Sequence, residues 1–212
     1  MGRPRKNSAE KTAKERLVDS FWHLLEEHDF SKISVEMLCK EAKCNRGTFY
    51  YHFSGMDSLL EYIVESTFIS NRYPQMIFSV LTGTGDLPFS SIVESEWPEH
   101  TALFTRNGNN VLTEKTKQYI LKMWTAILCS DGGQLSDQTR LILEYQSSAM
   151  LASLSYLGEE SLKGHMISPP IAFFSSVAKT ALRQICALEG ITEDDLKARI
   201  TMVGEVSKLM KS

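Results

Sequence analysis

The chain has 212 residues, 42% of them hydrophobic, and only six prolines, which suffices for a small domain and a larger one with its own core. Its 23 basic and 26 acidic residues leave a net charge of −3, which alone argues against a nucleic-acid partner, yet residues 1–16 carry six basic side chains against two acidic ones and so concentrate positive charge at one end. Charge-free stretches such as Tyr145 to Gly158 are too short to span a bilayer, no signal-peptide pattern is present, and Cys39, Cys44, Cys129 and Cys186 fall into neither zinc nor redox spacing; the expectation is a cytoplasmic chain with reduced thiols, Cys39 and Cys44 simply packing.

In chain order, Gly2-Arg3-Pro4-Arg5-Lys6 reads as a basic arm suited to a narrow A·T-rich minor groove, a solvated tail being the alternative left open. Asn7 and Glu10 resemble a capping box, and Ala13, Leu17, Phe21, Leu24, Leu25 and His28 follow at helical spacing. Ser34 is placed to cap a helix from Val35 to Ala42, whose Val35, Leu38, Cys39 and Ala42 share an apolar side. Shortly after it, Asn45 offers a second cap. The pattern is helix, very short turn, helix, the arrangement in which the second helix enters a major groove.

That second helix is the most informative segment. Along Asn45-Arg46-Gly47-Thr48-Phe49-Tyr50-Tyr51-His52-Phe53, an advance of about 100° per residue sends Phe49 and Phe53 one way and Gly47, Thr48 and Tyr51 the other. Tyr50 and His52 flank them. Burying the two phenylalanines anchors the helix and leaves a small, hydroxylated and aromatic face with Arg46 at its N-terminal end. Arg46 and Tyr51 are expected at base edges, Gly47 where the backbone approaches closely, and Ser34, Thr48, Tyr50 and His52 at phosphates. Arg3, Arg5, Lys43 and the Asn45 cap complete the candidate DNA-binding set. Aromatic core with a solvated arginine is the competing reading of the segment, and a structural histidine that of His52.

From Ser34 to Asp57 the order of residues resembles, almost position for position, the DNA-binding domain of the TetR family of bacterial transcriptional regulators, whose pattern runs close to Thr-Val-x-x-Ile-Ala-x-x-Ala-Gly-Val-Ser-x-Gly-Thr-Leu-Tyr-x-Tyr/His-Phe. The resemblance covers about the first quarter of the chain and implies an all-α, homodimeric regulator: a three-helix helix-turn-helix domain over residues 1–55 and a larger helical ligand-binding and dimerisation domain over 56–212. Two positions depart from the pattern. Lys43 stands where the family commonly has glycine, at a turn where a left-handed backbone costs a side chain about 1–2 kcal/mol. Met56 replaces the usual lysine that opens the fourth helix, removing one expected phosphate contact.

The remainder reads as helices over about 56–72, 74–82, 98–106, 109–130, 135–158, 169–189 and 192–210, punctuated by Gly83-Thr84-Gly85, Asp131-Gly132-Gly133 and Ser168-Pro169-Pro170. The first of these, through Met56, Leu59, Leu60, Ile63, Val64, Thr67 and Phe68, is expected to join the two domains. The segments Leu141 to Leu157 and Ile171 to Leu188 are nearly charge-free at their centres and apolar around too much of their circumference for surface helices, which suits an interface with a second copy; burial within one chain is the alternative. Trp97, Phe104, Tyr119, Met123, Trp124, Tyr145 and Met150 are candidates to line a cavity for an apolar or planar effector, or to form ordinary core. No cofactor, metal or catalytic constellation is read: nucleophile elbow, phosphate loop and His-Glu-x-x-His are all missing. The expected partners are an operator in double-stranded DNA, a second copy of the chain and a small-molecule effector, without a membrane. An all-helical carrier or enzyme and a protein-interaction module remain the competing classes.

Overall fold

The computed structural model describes residues 11–66, 97–107, 109–129, 132–165, 167 and 171–209. Among these the chain is all-helical, without a strand. It divides into two compact units, Met1–Glu61 and Tyr62–Ser212. The helices expected over 74–82 and beyond residue 66 of the fourth helix, the Gly83-Thr84-Gly85 break, the basic arm and the Asn7–Glu10 box lie outside the described residues.

In the first unit, α1 (Ala13–Glu27) starts from Thr12, whose hydroxyl accepts from the Glu15 amide while the Glu15 carboxylate takes the Thr12 amide. This reciprocal pair satisfies two amides that a helix start otherwise leaves without partners. A 3₁₀ turn at Phe30–Lys32 leads to α2 (Val35–Glu41), capped by Ser34 through the Met37 amide, and α3 (Arg46–His52), capped by Asn45 through the Thr48 amide at 2.8 Å. The three pack around Leu17, Phe21, Leu25, Leu38 and Phe49, all fully buried. Phe21 meets both Trp22 and Phe30 edge-on, the geometry aromatic rings favour. The fourth helix, α4 (Met56–Val64), crosses the division between the units, with Leu59, Leu60, Ile63 and Val64 buried.

The second unit contains α5 (Trp97–Asn107), α6 (Asn109–Leu128), α7 (Asp137–Leu162), α8 (Ile171–Glu189) and α9 (Glu193–Leu209). The central α7 buries Thr139, Leu143, Ser147, Leu151, Leu154 and Gly158 along one side. Among the described helices it packs most extensively against α5. A methyl group on Gly158 would lie 1.9 Å from the Pro98 carbonyl oxygen, so the two backbones touch where glycine leaves room. Ser161 donates to Glu99, and Thr105 and Ser155 share a hydrogen bond along the same seam. Ser136 caps α7 and in turn donates to Glu189 of α8. Arg199 of α9 donates to the Leu128 carbonyl at the end of α6 at 2.6 Å, satisfying an acceptor at a helix terminus. None of the described helices is long and apolar enough to cross a membrane.

Candidate nucleic-acid interface

The placement of α3 follows from its own residues and from the turn before it. Phe49 is fully buried and Phe53 nearly so, with ring centroids 5.8 Å apart. Removing such a side chain costs about 3–5 kcal/mol, so the two phenylalanines lock the helix by its inner face. Tyr51 is 84% exposed and Tyr50 57%. Arg46 and Gly47 are exposed as well, while Thr48 and His52 are half-buried at the flanks. Tyr51 and His52 stack edge to face at 5.0 Å, giving the outer surface an ordered aromatic group.

The turn between α2 and α3 is a complete helix-ending motif. Cys44 donates its amide to the Cys39 carbonyl at 2.9 Å, and Lys43 donates to the Lys40 carbonyl at 3.3 Å. These are the two bonds of a Schellman stop, which requires a left-handed residue between them. Lys43 takes that position at φ 51°, and its side chain points to solvent. The site that favours glycine keeps its glycine-like backbone and adds a cation.

Two further side chains, not singled out by sequence reasoning, position the interface. Arg16 of α1 donates to the Ala42 carbonyl at 3.1 Å and to the Lys11 carbonyl at 2.9 Å, bracing the turn from behind. Glu36 of α2 holds Arg46 at 3.0 Å with both side chains exposed. Such exposed pairs contribute about 0–1 kcal/mol, so Glu36 holds Arg46 weakly and competes for it with any other acceptor. Neither has a readable signal, because the partners lie 26 and 10 residues apart. Lys14 sits 5.7 Å from the centre of the Phe53 ring, within cation–π range.

Gly47 has a local reason as well as a functional one. A methyl there would come within 3.1 Å of Asn45 Oδ1, the oxygen that receives both the amide and the hydroxyl of Thr48. A bulkier residue would press on the cap that starts the helix. Ser34 and Asn45 are exposed and serve as caps, and Arg3 and Arg5 lie outside the described residues.

The candidate effector residues are not all brought together. Phe104 and Trp124 are 2% exposed and Met123 9%, inside the core of the second unit. Tyr119 is half-buried and donates to Glu65 at 3.1 Å, and Met150 is half-buried on α7. Tyr145 departs from the set: at 67% exposure it faces outward from α7, the direction its helix turn imposes opposite Leu143 and Ser147. Trp97 opens α5, its side chain outside the described residues.

A helix braced from behind, capped by Asn45, anchored by two buried rings and exposing arginine, tyrosine and hydroxyl groups defines a helix-turn-helix DNA-binding unit. Residues 17–63 match the family described as bacterial regulatory proteins, tetR family, so the N-terminal helix-turn-helix is a domain of the kind those DNA-binding transcriptional regulators carry. Among solved structures, one described as "Dihydroxyacetone kinase operon activator DhaS" is similar at 20% identity and a TM-score of 0.36, covering 83% of this chain and 97% of its own. No curated protein matches.

Proposed function

We propose that the chain binds a palindromic operator as a homodimer, acting as a repressor that a small molecule releases. The observation that carries DNA readout is the division of α3, with Phe49 and Phe53 buried while Tyr50 and Tyr51 stand exposed beside Arg46. In this reading Arg46 and Tyr51 meet base edges. Thr48, Tyr50, His52 and the Ser34 end of α2 meet phosphates, with Lys43 and the Asn45 end of α3 beside them, and Arg3 and Arg5 follow the minor groove.

Dimerisation is supported by the outer faces of α7 and α8. Leu141, Tyr145 and Tyr156 are 71%, 67% and 60% exposed, and Phe173 is 62% exposed. Between them lie exposed small residues, Ala149 and Ala152 on α7 and Ala172 and Ser176 on α8. Large apolar groups flanking small ones suit close packing against a second copy. Two recognition helices spaced one duplex turn apart then multiply affinity and specificity. Release requires an effector that binds more tightly to the conformation whose recognition helices are wrongly spaced; the aromatic and methionine side chains of Phe104, Met123 and Trp124 favour an apolar or planar one.

Selection of fragments from random duplex DNA by the full chain tests the reading. The expected winner is a palindrome with half-sites about 10 base pairs apart, bound by a dimer that Tyr145→Glu dissociates in sedimentation. Absence of any enriched sequence at low salt sinks DNA readout, and an unpaired half-site bound by a monomer sinks the dimer.

A further inference from the structure

The Schellman stop between α2 and α3 ordinarily brings an apolar residue from the last turn of the helix against one just beyond its end. Here both positions are cysteine. Cys39 lies in the last turn of α2 and Cys44 immediately precedes the Asn45 cap of α3, and the 2.9 Å bond from the Cys44 amide to the Cys39 carbonyl fixes the two backbones side by side. Both side chains line the same surface hollow at this turn. All four cysteines of the chain are free. Sequence spacing suggests mere packing of Cys39 and Cys44; the turn makes them a facing dithiol.

We propose that Cys39 and Cys44 form a reversible oxidation site, at which a hydroperoxide closes an intrachain disulfide that lowers DNA affinity. The DNA arm of this proposal rests on the readout by α3 proposed above. Access assigns the order of events. Both line one surface hollow with Arg16, Lys40, Lys43 and Thr48, but Cys39 is only 5% exposed whereas Cys44 is half-buried and the more accessible of the two. Burial first, and Cys44 second, raise the pKa of the Cys39 thiol, so Cys39 is suited to the resolving step rather than to the initial attack. Cys44 sulfur attacks the peroxide O–O bond, yielding Cys44 sulfenic acid and, with the thiol proton, one molecule of water or alcohol. Cys39 sulfur then displaces hydroxide from the Cys44 sulfur, and the Cys39 proton completes water. Two thiols are oxidised and one peroxide is reduced.

The consequence for DNA follows from geometry. Two free thiols keep their sulfurs at non-bonded separation, well beyond the ~2.05 Å of a disulfide. Closing that gap pulls Cys44 toward α2 and carries with it the next two residues, Asn45 and Arg46, which start the recognition helix. A displacement on the order of 1 Å at such a constellation is enough to cost much of its affinity.

The test exposes the reduced full-length chain to hydrogen peroxide, maps its thiols by alkylation and mass spectrometry, and measures binding to a selected DNA fragment before and after dithiothreitol. The expected result is a Cys39–Cys44 disulfide, a tenfold or greater loss of affinity, and recovery on reduction. Cys44→Ser should retain reduced-state binding and become insensitive to peroxide, and Cys39→Ala should stop at a sulfenic acid trapped by dimedone; the mapping of the unaltered chain stands even if either variant folds poorly. Two unmodified thiols after peroxide, a bridge to Cys129, Cys186 or another chain, or a Cys39–Cys44 bridge that leaves affinity unchanged each overturn the proposal. Should the reduced chain bind no fragment, the DNA reading and the switch fall together while the mapping still decides whether the dithiol is oxidised.

Discussion

Arg46 is held 3.0 Å from Glu36, and a carboxylate at that distance competes with any acceptor on a duplex. Its own charge also repels phosphate. Glu36→Gln should therefore tighten DNA binding several-fold, measured by fluorescence anisotropy at low salt. Arg46→Ala should cost about 1–3 kcal/mol if the guanidinium pairs with a guanine edge. In the Arg46→Ala background the Glu36→Gln gain should shrink. An equal gain in both backgrounds would show that Glu36 acts through bulk charge and not through Arg46. Lys43 poses a second residue-scale question, because its φ of 51° is strained for any side chain. Lys43→Gly should stabilise the chain by about 1 kcal/mol by removing the left-handed penalty. It should at the same time weaken DNA binding and lower the slope of log affinity against log salt by about one for each phosphate that the ammonium neutralises. A rise in melting temperature with unchanged salt dependence would place the Lys43 ammonium away from phosphate.

At the scale of elements, what the sequence makes legible is local and periodic. The opposed faces of α3 follow from a 100° step applied to nine residues, and the caps at Ser34 and Asn45 follow from short polar side chains ahead of apolar runs. The start of α1 is harder to read, because Thr12 with Glu15 supplies the box while Asn7 with Glu10 offers the same spacing upstream. Bonds and close approaches between distant segments leave no periodic trace: Arg16 on the Ala42 carbonyl, Arg199 on the Leu128 carbonyl, and Gly158 beneath Pro98. Tyr145 is legible as an aromatic and not as an exposed one, since its environment is decided by which side of α7 meets α5. Gly158 shows how sharp such an approach is. Its missing side chain lets backbone meet backbone, so Gly158→Ala cannot be relieved by a rotamer change and must separate α5 from α7, at about 3 kcal/mol or more. Gly133→Ala is the control, its methyl meeting nothing nearer than 3.9 Å. Thermal melts of the full chain should show a large loss for the first and little change for the second. Equal, small losses would mean that the α5–α7 seam is looser than this crossing implies.

For the whole molecule, the chain divides into two compact units, and a buried histidine in the second makes stability depend on pH. The second unit holds His100 on α5, where burial lowers its pKa to about 4 despite the opposing pull of Glu99. Unfolding exposes the imidazole and returns it to about 6.5. Between those values the unfolded chain binds a proton that the folded chain refuses, so stability falls as pH drops from about 6.5 toward 4 and is unaffected by this group above that window. The full effect is on the order of 3 kcal/mol. Denaturant unfolding of the intact chain at pH 7.5, 6 and 5 should show the loss, and His100→Asn should flatten it whatever the variant does to stability at pH 7.5. The first unit's buried aromatic set, Phe21, Phe49 and Phe53, carries no proton to exchange. If the two units unfold in separate steps, acid should move the step followed by near-ultraviolet signals from Trp124 and leave the one followed by Trp22 less changed. A pH dependence that survives His100→Asn intact would assign the acid sensitivity to other groups and return His100 to an ordinary, solvated imidazole.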